Sequence, residues 1–128
     1  MFAIVPSAAL EGLRVVRVRV EVSISRGTPM IQMVGLPASS VREGSERIRA
    51  AARRLDLHVP GLRVTVNLAP ADLRKDGAAY DLPILVGILA AAGRRQLPRA
   101  GRWALLGELG LDGGLRPVRG ALPVALHA

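Results

Sequence analysis

The chain contains no cysteine, one residue each of phenylalanine, tyrosine and tryptophan, and a single lysine, Lys75. Without cysteine there is no disulfide framework and no thiolate chemistry. Because aromatic residues are so few, the core is predicted to be aliphatic, built from valine, leucine, isoleucine and alanine. A Walker A loop needs a glycine–lysine pair, but the one lysine stands between Arg74 and Asp76. ATP hydrolysis by that route is therefore excluded for this segment.

Other kinds of site and segment are also missing from the sequence. The stretch Met1–Leu10 lacks the basic start and long apolar run of a secretory signal. The most apolar run, Leu82–Ala92, is too short to cross a bilayer, so we expect a cytoplasmic protein without a membrane partner. No histidine, cysteine or acidic cluster has zinc spacing, and His58 and His127 stand in no catalytic-triad motif. His58 is predicted to be structural, and this segment is predicted to hold no metal or cofactor.

The length and charge of the chain set its general class. A chain of 128 residues, half of them apolar, fits one domain with a real core. The formal net charge is +8, and every basic residue except Lys75 is arginine. Such a charge favours polyanionic partners. The arginine could also reflect the composition of a high-GC genome, and the sequence leaves both interpretations open.

The stretch Arg63–Ile84 organises the rest of the chain. Its first part alternates apolar and polar residues with the period of a half-buried strand, until Pro70 interrupts the pattern. A polar loop follows, and Asp81 is predicted to cap a helix over Leu82–Ala92. Free N–H groups at a helix start can bind an anion. An ordinary strand-to-helix connection is the alternative interpretation of this loop.

Three further strands are predicted before this stretch, over Phe2–Ala9, Leu13–Ile24 and Met30–Val34. In Leu13–Ile24, valines and polar residues alternate so regularly that one side should face the core. We expect these strands to be antiparallel neighbours. Arg17 and Arg19 lie on the polar side of the second strand, where they either contact phosphates or face solvent.

A helix is predicted to run to about Leu55. Ser40 and Glu43 have the spacing of a capping box at its start. Gly44 costs about 1 kcal/mol inside a helix relative to alanine, so we expect another backbone to approach closely there. Arg53 and Arg54 suit the negative end of the helix dipole, and they are also candidate anion contacts.

The last part of the chain combines a loop, a strand, a hairpin and a helix. Arg94–Arg102 is predicted to be a basic surface loop, and Trp103–Glu108 a buried strand. Asp112 and Gly113 form a strong hairpin-turn signal, and a helical pattern begins at Val118. The chain stops at Ala128 without a cap or polar tail, so we expect it to be a fragment of a longer protein.

Four blocks of the sequence, in order, resemble the ComM/YifB family of magnesium-chelatase-like AAA+ ATPases. They read SRGTPMIQMVGLP, VREGSERIRAA, VNLAPADLRKDG…YDLPI and LGELGLDGGLRPVRGALPVAL. The resemblance covers nearly the whole chain and points to the family's N-terminal domain. It implies an α/β (α+β) fold similar to ribosomal protein S5 domain 2 and to the proteolytic domain of Lon, as one domain over residues 1–128.

The resemblance also indicates where a Ser–Lys protease would carry its catalytic groups. In Lon-type proteases the nucleophilic serine follows a KDGPSAG-like loop, and that position falls on Ala79. The general-base lysine falls near Leu122. Neither side chain can do this chemistry, so the resemblance implies a protease fold without protease activity.

Binding therefore remains as the predicted role. The loop Asp72–Gly77 carries two adjacent cations before a helix start, and its alternative role is a salt-bridged surface loop. The candidate nucleic-acid or partner contacts are Arg17, Arg19, Arg53, Arg54, Arg74 and Lys75.

For the parent protein, the resemblance implies a homo-oligomeric, hexameric ATPase linked to DNA branch migration in transformation and recombination. ATP and Mg would bind its missing downstream module. The segment itself is predicted to contribute DNA contact, ring assembly or both. The alternatives are an oligomerisation-only module and part of a metal-insertion motor of the magnesium-chelatase type.

Overall fold

The strand with the clearest alternation of valine and polar residues becomes the longest strand of the protein. The computed structural model describes residues 1–57, 63–93 and 103–118. Within them the elements are β1 (Phe2–Glu11), β2 (Arg14–Ser25), β3 (Met30–Val34), α1 (Ser39–Arg42), α2 (Gly44–Arg54), β4 (Arg63–Ala69), α3 (Asp81–Ala91), β5 (Glu108–Leu109) and β6 (Leu115–Arg116). The four strands predicted from periodicity are confirmed, with bounds that differ by at most about two residues.

The first four strands form one sheet in the order β1-β2-β4-β3. β1 and β2 turn through Gly12 and pair antiparallel as predicted, and β2 also pairs antiparallel with β4. The prediction that β3 is an antiparallel neighbour in this group is wrong. β3 instead lies parallel to β4, because α1 and α2 carry the chain back along the sheet before β4 begins.

The core lies on one face of the sheet, against α2 and α3. Alternate residues of β2 from Val18 to Ile24 are buried there, whereas Arg17 and Arg19 on the opposite face are exposed. Among the described residues, Tyr80 is the only buried aromatic, so the predicted aliphatic core and the α/β class are confirmed. Each fully buried valine, leucine or isoleucine side chain contributes about 1.5–3 kcal/mol.

The helix predicted from Ser40 to Leu55 is divided in two at Glu43, and the predicted capping box is wrong. Ala38 occupies the N-cap of α1, and no side chain caps either α1 or α2. The Ser40 hydroxyl instead accepts a hydrogen bond from the backbone N–H of Gly77 at 2.8 Å. A contact with a distant loop has therefore replaced the local one that the spacing predicted.

The predicted hairpin around Asp112 is confirmed, with β5 and β6 antiparallel and the Asp112 carboxylate accepting from Gly114 N at 3.0 Å. The buried strand predicted over Trp103–Glu108 is wrong except at its last residue. This segment instead runs beside β1, where Leu105 N donates to Pro6 O at 2.9 Å.

Several predictions fall outside the described residues. They concern His58, the loop Arg94–Arg102, the helix after Val118 and the positions of Leu122 and His127. Among the helices that the structure does describe, none has the length and hydropathy that crossing a membrane requires.

Replacement of Gly87 by alanine should destabilise the protein. Gly87 lies in α3, and an added Cβ would stand 2.6 Å from Val22 Cγ2 on β2. A valine side chain is stiff, so we expect a loss of about 1–3 kcal/mol in the free energy of unfolding. Helix propensity alone would give a gain of about 1 kcal/mol. Chemical denaturation of G87A measures the sign.

The double variant G87A/V22A is the matched test of the cause. Because V22A removes the methyl groups that crowd position 87, the double variant should lose less stability than the two single losses added together. A stabilised G87A, or strictly additive losses, would contradict close packing of α3 on β2.

Candidate functional site

The loop between β4 and α3, residues 70–80, is hydrogen-bonded to the segment that follows β3. We call it the Lys75 loop. Lys75 N donates to Leu36 O at 3.1 Å, and Ala38 N donates to Lys75 O at 2.8 Å. With the Gly77–Ser40 bond, these contacts attach the middle of the loop to the start of α1. The loop is therefore anchored by its backbone.

Lys75 is fully buried, and the prediction that it contacts a ligand at the surface is wrong. Its ammonium donates to Gly35 O at 2.8 Å and also to Pro70 O. Burial lowers the pKa of Lys75, and the nearby Asp72 carboxylate opposes that shift. These two carbonyls follow the ends of β3 and β4, where the strand ladder no longer supplies donors. The neighbouring Arg74 is exposed and stays a candidate contact.

Asp81 is the first residue of α3 and does not cap it, so the predicted capping role is wrong. Its carboxylate accepts two hydrogen bonds from Arg47, from Nε at 2.7 Å and from Nη2 at 3.1 Å. It accepts a third from Leu109 N at 3.1 Å. The Asp81 side chain is 2% exposed and that of Arg47 is 20% exposed. One buried carboxylate thus joins α2, α3 and β5.

Burial raises the pKa of Asp81, although the hydrogen bonds from Arg47 and Leu109 act in the opposite direction. The hydrogen bond to Asp81 raises the pKa of Arg47. The same carboxylate explains Gly44, where an added Cβ would lie 2.5 Å from Asp81 Oδ1. We expected an approaching backbone at Gly44, but the close group is this side chain.

The start of α3 does not offer the free donors that an anion site requires. Asp81 N donates to Ala78 O at 3.2 Å and Leu82 N donates to Gly107 O at 3.0 Å, and Pro83 has no N–H to give. The expectation of open N–H groups at this helix start is therefore wrong.

The position that would carry a nucleophile is also occupied by internal contacts. Ala79 presents a methyl group, and its carbonyl accepts from Gly107 N at 2.9 Å. Burial raises the pKa of the adjacent Tyr80 to about 12, so its phenol stays protonated at neutral pH. Ala79 and Tyr80 are thus engaged in backbone contacts and packing within the protein.

The candidate arginines are not brought together. Arg17 and Arg19 lie on the sheet face opposite α3, which we call the outer face, and the Arg19 side chain is 60% exposed while it contacts Glu21 at 3.4 Å. Arg53 and Arg54 are exposed at the end of α2, on the helix side of the sheet. A single ligand surface on the described residues cannot include both pairs.

Sequence reasoning missed the role of Arg47. Glu43 lies four residues before Arg47, a spacing that favours an ion pair on one helix face, but that contact exists only at 4.0 Å with an exposed Glu43. The true partner, Asp81, is 34 residues away in sequence. No periodic signal could have identified it, because helix periodicity links only residues three or four positions apart.

Comparison with known proteins gives consistent matches. A family model described as subunit ChlI of Mg-chelatase matches residues 20–128. Competence protein ComM of Haemophilus influenzae is 43% identical over 126 residues, and YifB of Escherichia coli is 42% identical over 126 residues. Each alignment covers 98% of this chain and 25% of the relative. The protein Rv2897c of Mycobacterium tuberculosis is 40% identical over 122 residues, with 95% and 24% covered. This chain thus spans about a quarter of the length of these relatives.

Replacement of Arg47 by glutamine should destabilise the fold by about 3 kcal/mol, because it leaves the Asp81 carboxylate buried without its cation. The exposed pair of Arg116 and Asp112 supplies the control. R116Q should leave the free energy of unfolding unchanged within error, because exposed ion pairs contribute little. Denaturation of both variants at neutral pH measures the difference, and equal losses would contradict a special role for Arg47.

The destabilisation by R47Q should also depend on pH. Losing Arg47 raises the folded-state pKa of Asp81 further, so the folded state binds its proton more tightly than the unfolded chain. Stability of R47Q should therefore fall as the pH rises from about 4 towards neutrality, and its deficit should shrink in acid. A deficit that does not change with pH would contradict the charge-based explanation.

Replacement of Lys75 by methionine should cost about 2 kcal/mol, because the carbonyls of Gly35 and Pro70 lose their donor while the side-chain volume is kept. R74M is the matched control on the neighbouring exposed residue and should change stability by less than about 0.5 kcal/mol. Thermal and chemical unfolding of the two variants test this. A K75M protein as stable as R74M would show that the buried ammonium is not needed.

Proposed function

The chain belongs to the ChlI-like family that includes ComM and YifB, and from that membership we propose that it is a non-catalytic N-terminal domain of an AAA+ ATPase. In this proposal, ATP and Mg bind elsewhere in the parent protein, which acts in the cytoplasm. The domain contributes DNA contact, ring assembly or both to ATP-driven DNA processing. The observation that carries the proposal is the alignment of nearly this whole chain with only a quarter of each relative.

The geometry of the Lys75 loop supports a non-catalytic role. The position of a Lon-type nucleophile holds Ala79, the first donors of α3 are engaged, and the one lysine is buried on carbonyl groups. A hydrolase needs a nucleophile with an open oxyanion site beside it. The contacts at Ala79 and Leu82 instead pair this region with Gly107, which favours a rigid scaffold.

The charge of the outer face supports DNA contact through Arg17 and Arg19. Both arginines are exposed and follow one another on the same side of β2, about 7 Å apart along the strand. The other exposed pair, Arg53 and Arg54, ends α2, where cations stabilise the helix itself. Arg19 also contacts Glu21 at 3.4 Å, but Arg17 makes no ion pair within the described residues. We therefore take the outer face as the surface for a polyanion.

The double variant R17A/R19A should bind duplex DNA more weakly than the unsubstituted 128-residue chain. If both side chains contact phosphates, the slope of log affinity against log salt should flatten by about 1.8, that is, about 0.9 for each contact. Fluorescence anisotropy over a range of salt concentrations measures both quantities. R53A/R54A is the matched control, because it removes the same charge from the helix side.

Equal weakening by the two double variants would mean that only total charge matters, and it would contradict a contact at the outer face. If the unsubstituted 128-residue chain forms oligomers but binds no DNA at low salt, DNA contact is overturned and ring assembly remains as the proposed function. Either result would leave the family membership unchanged, so the two parts of the proposal are tested separately.

A further inference from the structure

The two edges of the main sheet differ in whether other parts of the chain cover them. At the β1 edge, Pro6 lacks an N–H, its carbonyl accepts from Leu105 N at 2.9 Å, and the Ser7 hydroxyl donates to Leu105 O at 2.7 Å. Proline and a covering segment are two of the devices that keep a sheet edge from pairing with other chains. The β1 edge is therefore closed at its centre.

The β3 edge has none of these devices among the described residues. β3 is the outermost strand and pairs only with β4 there. Its sequence, MIQMV, contains no proline and no charged residue. A strand edge exposes N–H and C=O groups that need partners, and in residues 1–57, 63–93 and 103–118 no backbone outside β4 bonds to this strand.

An apolar ridge accompanies this open edge. Met30 and Val34 are 38% and 41% exposed on the outer face, and Leu36 just beyond the strand is 53% exposed. Leu36 has φ 56°, a left-handed conformation that is unfavourable for a residue with a Cβ. The bond from Lys75 N to Leu36 O helps to maintain it. The fold thus holds an apolar side chain in solvent beside the unpaired edge of β3.

We propose that β3 pairs antiparallel with β3 of a second copy of the chain, about a two-fold axis at Gln32. The sequence is self-complementary in this register, because Met30 then faces Val34 of the other copy, and Ile31 faces its Met33. No charged residue of β3 itself opposes another in this register, although each copy carries a formal charge of +8. The nearest cation is Arg63 of β4, whose Nη2 donates to Gln32 Oε1 at 2.5 Å on the exposed outer face, where salt screens the two guanidinium groups from each other.

The second copy also continues the core. Met33 is buried and Ile31 packs beside the core on the helix face of β3, so the pair joins the two apolar layers as well as the two backbones. A contact of five residues on each side is small, and interfaces below about 1,200 Å² are weak and transient. The contact is isologous and closes on itself, so it joins copies in pairs and does not by itself extend a ring.

Charge substitutions at positions 30 and 34 test both the pairing and its register. In M30K/V34K each lysine would face a lysine of the other copy, and dimerisation should be lost. In M30E/V34K each glutamate would face a lysine, and dimerisation should be kept. Sedimentation velocity of the 128-residue chain and both variants, up to several hundred micromolar, measures the dimer fraction.

Three outcomes would overturn the proposal. In the first, the unsubstituted chain stays monomeric at every concentration. In the second, the unsubstituted chain and M30K/V34K dimerise equally. In the third, M30E/V34K is folded but monomeric. Both positions are exposed, so the variants should unfold like the parent. Protection of the β3 amides from hydrogen exchange should increase with protein concentration in the unsubstituted chain and in M30E/V34K, but not in M30K/V34K.

The dimer fraction measured without DNA and the DNA affinity measured at low protein concentration separate this inference from the proposed function. A dimer that fails to form overturns the β3 pairing, whereas DNA contact by Arg17 and Arg19 of a single copy is tested by R17A/R19A alone. Loss of DNA binding in R17A/R19A with an unchanged dimer fraction leaves the β3 pairing unaffected.

Discussion

The bidentate pair between Arg47 and Asp81 is the interaction on which the arrangement of the Lys75 loop depends. A carboxylate that is 98% shielded from solvent would be strongly unfavourable without a cation and further donors. Arg47 and Leu109 N supply them. Because these groups belong to α2 and β5, satisfying one charge fixes three elements relative to one another. The glycine at position 44 follows from the same requirement, since a larger residue would displace the carboxylate.

This arrangement uses polar groups that resemble the components of a site. A lysine, an aspartate and a helix start lie within a few residues of each other, but each is paired within the protein. The Lys75 ammonium satisfies two strand-end carbonyls, Asp81 satisfies Arg47, and Gly107 engages the backbone on both sides of Tyr80. Buried ionic groups can specify one arrangement among similar ones. Lys75 and Asp81 are consistent with that use, because their charges fix geometry without facing solvent.

The sequence predicted the features that depend on local periodicity. The alternation in β2 and β4, the apolar run of α3 and the Asp112 hairpin are all readable over a few residues, and the structure has them. The family blocks predicted the fold class. The order of β3 and β4, the burial of Lys75 and the partner of Asp81 were not predicted, because each depends on a contact between residues that are 33 or more positions apart. The local spacing of Ser40 and Glu43 predicted a capping box, but the Ser40 hydroxyl accepts a hydrogen bond from Gly77 N instead.

The outer face and the β3 edge adjoin, and this links the two proposed surfaces. Met30, Gln32 and Val34 point to the same side of the sheet as Arg17 and Arg19, because the register places Gln32 beside Thr65 and Thr65 beside Ser23. A two-fold axis perpendicular to the sheet would leave both outer faces on the same side of an eight-stranded sheet. Two weak basic surfaces would then be presented to one polyanion together. Linked surfaces bind more tightly than separate ones when a ligand can reach both, so even a transient strand pair would be stabilised by an extended nucleic acid, and DNA binding and self-association would support each other.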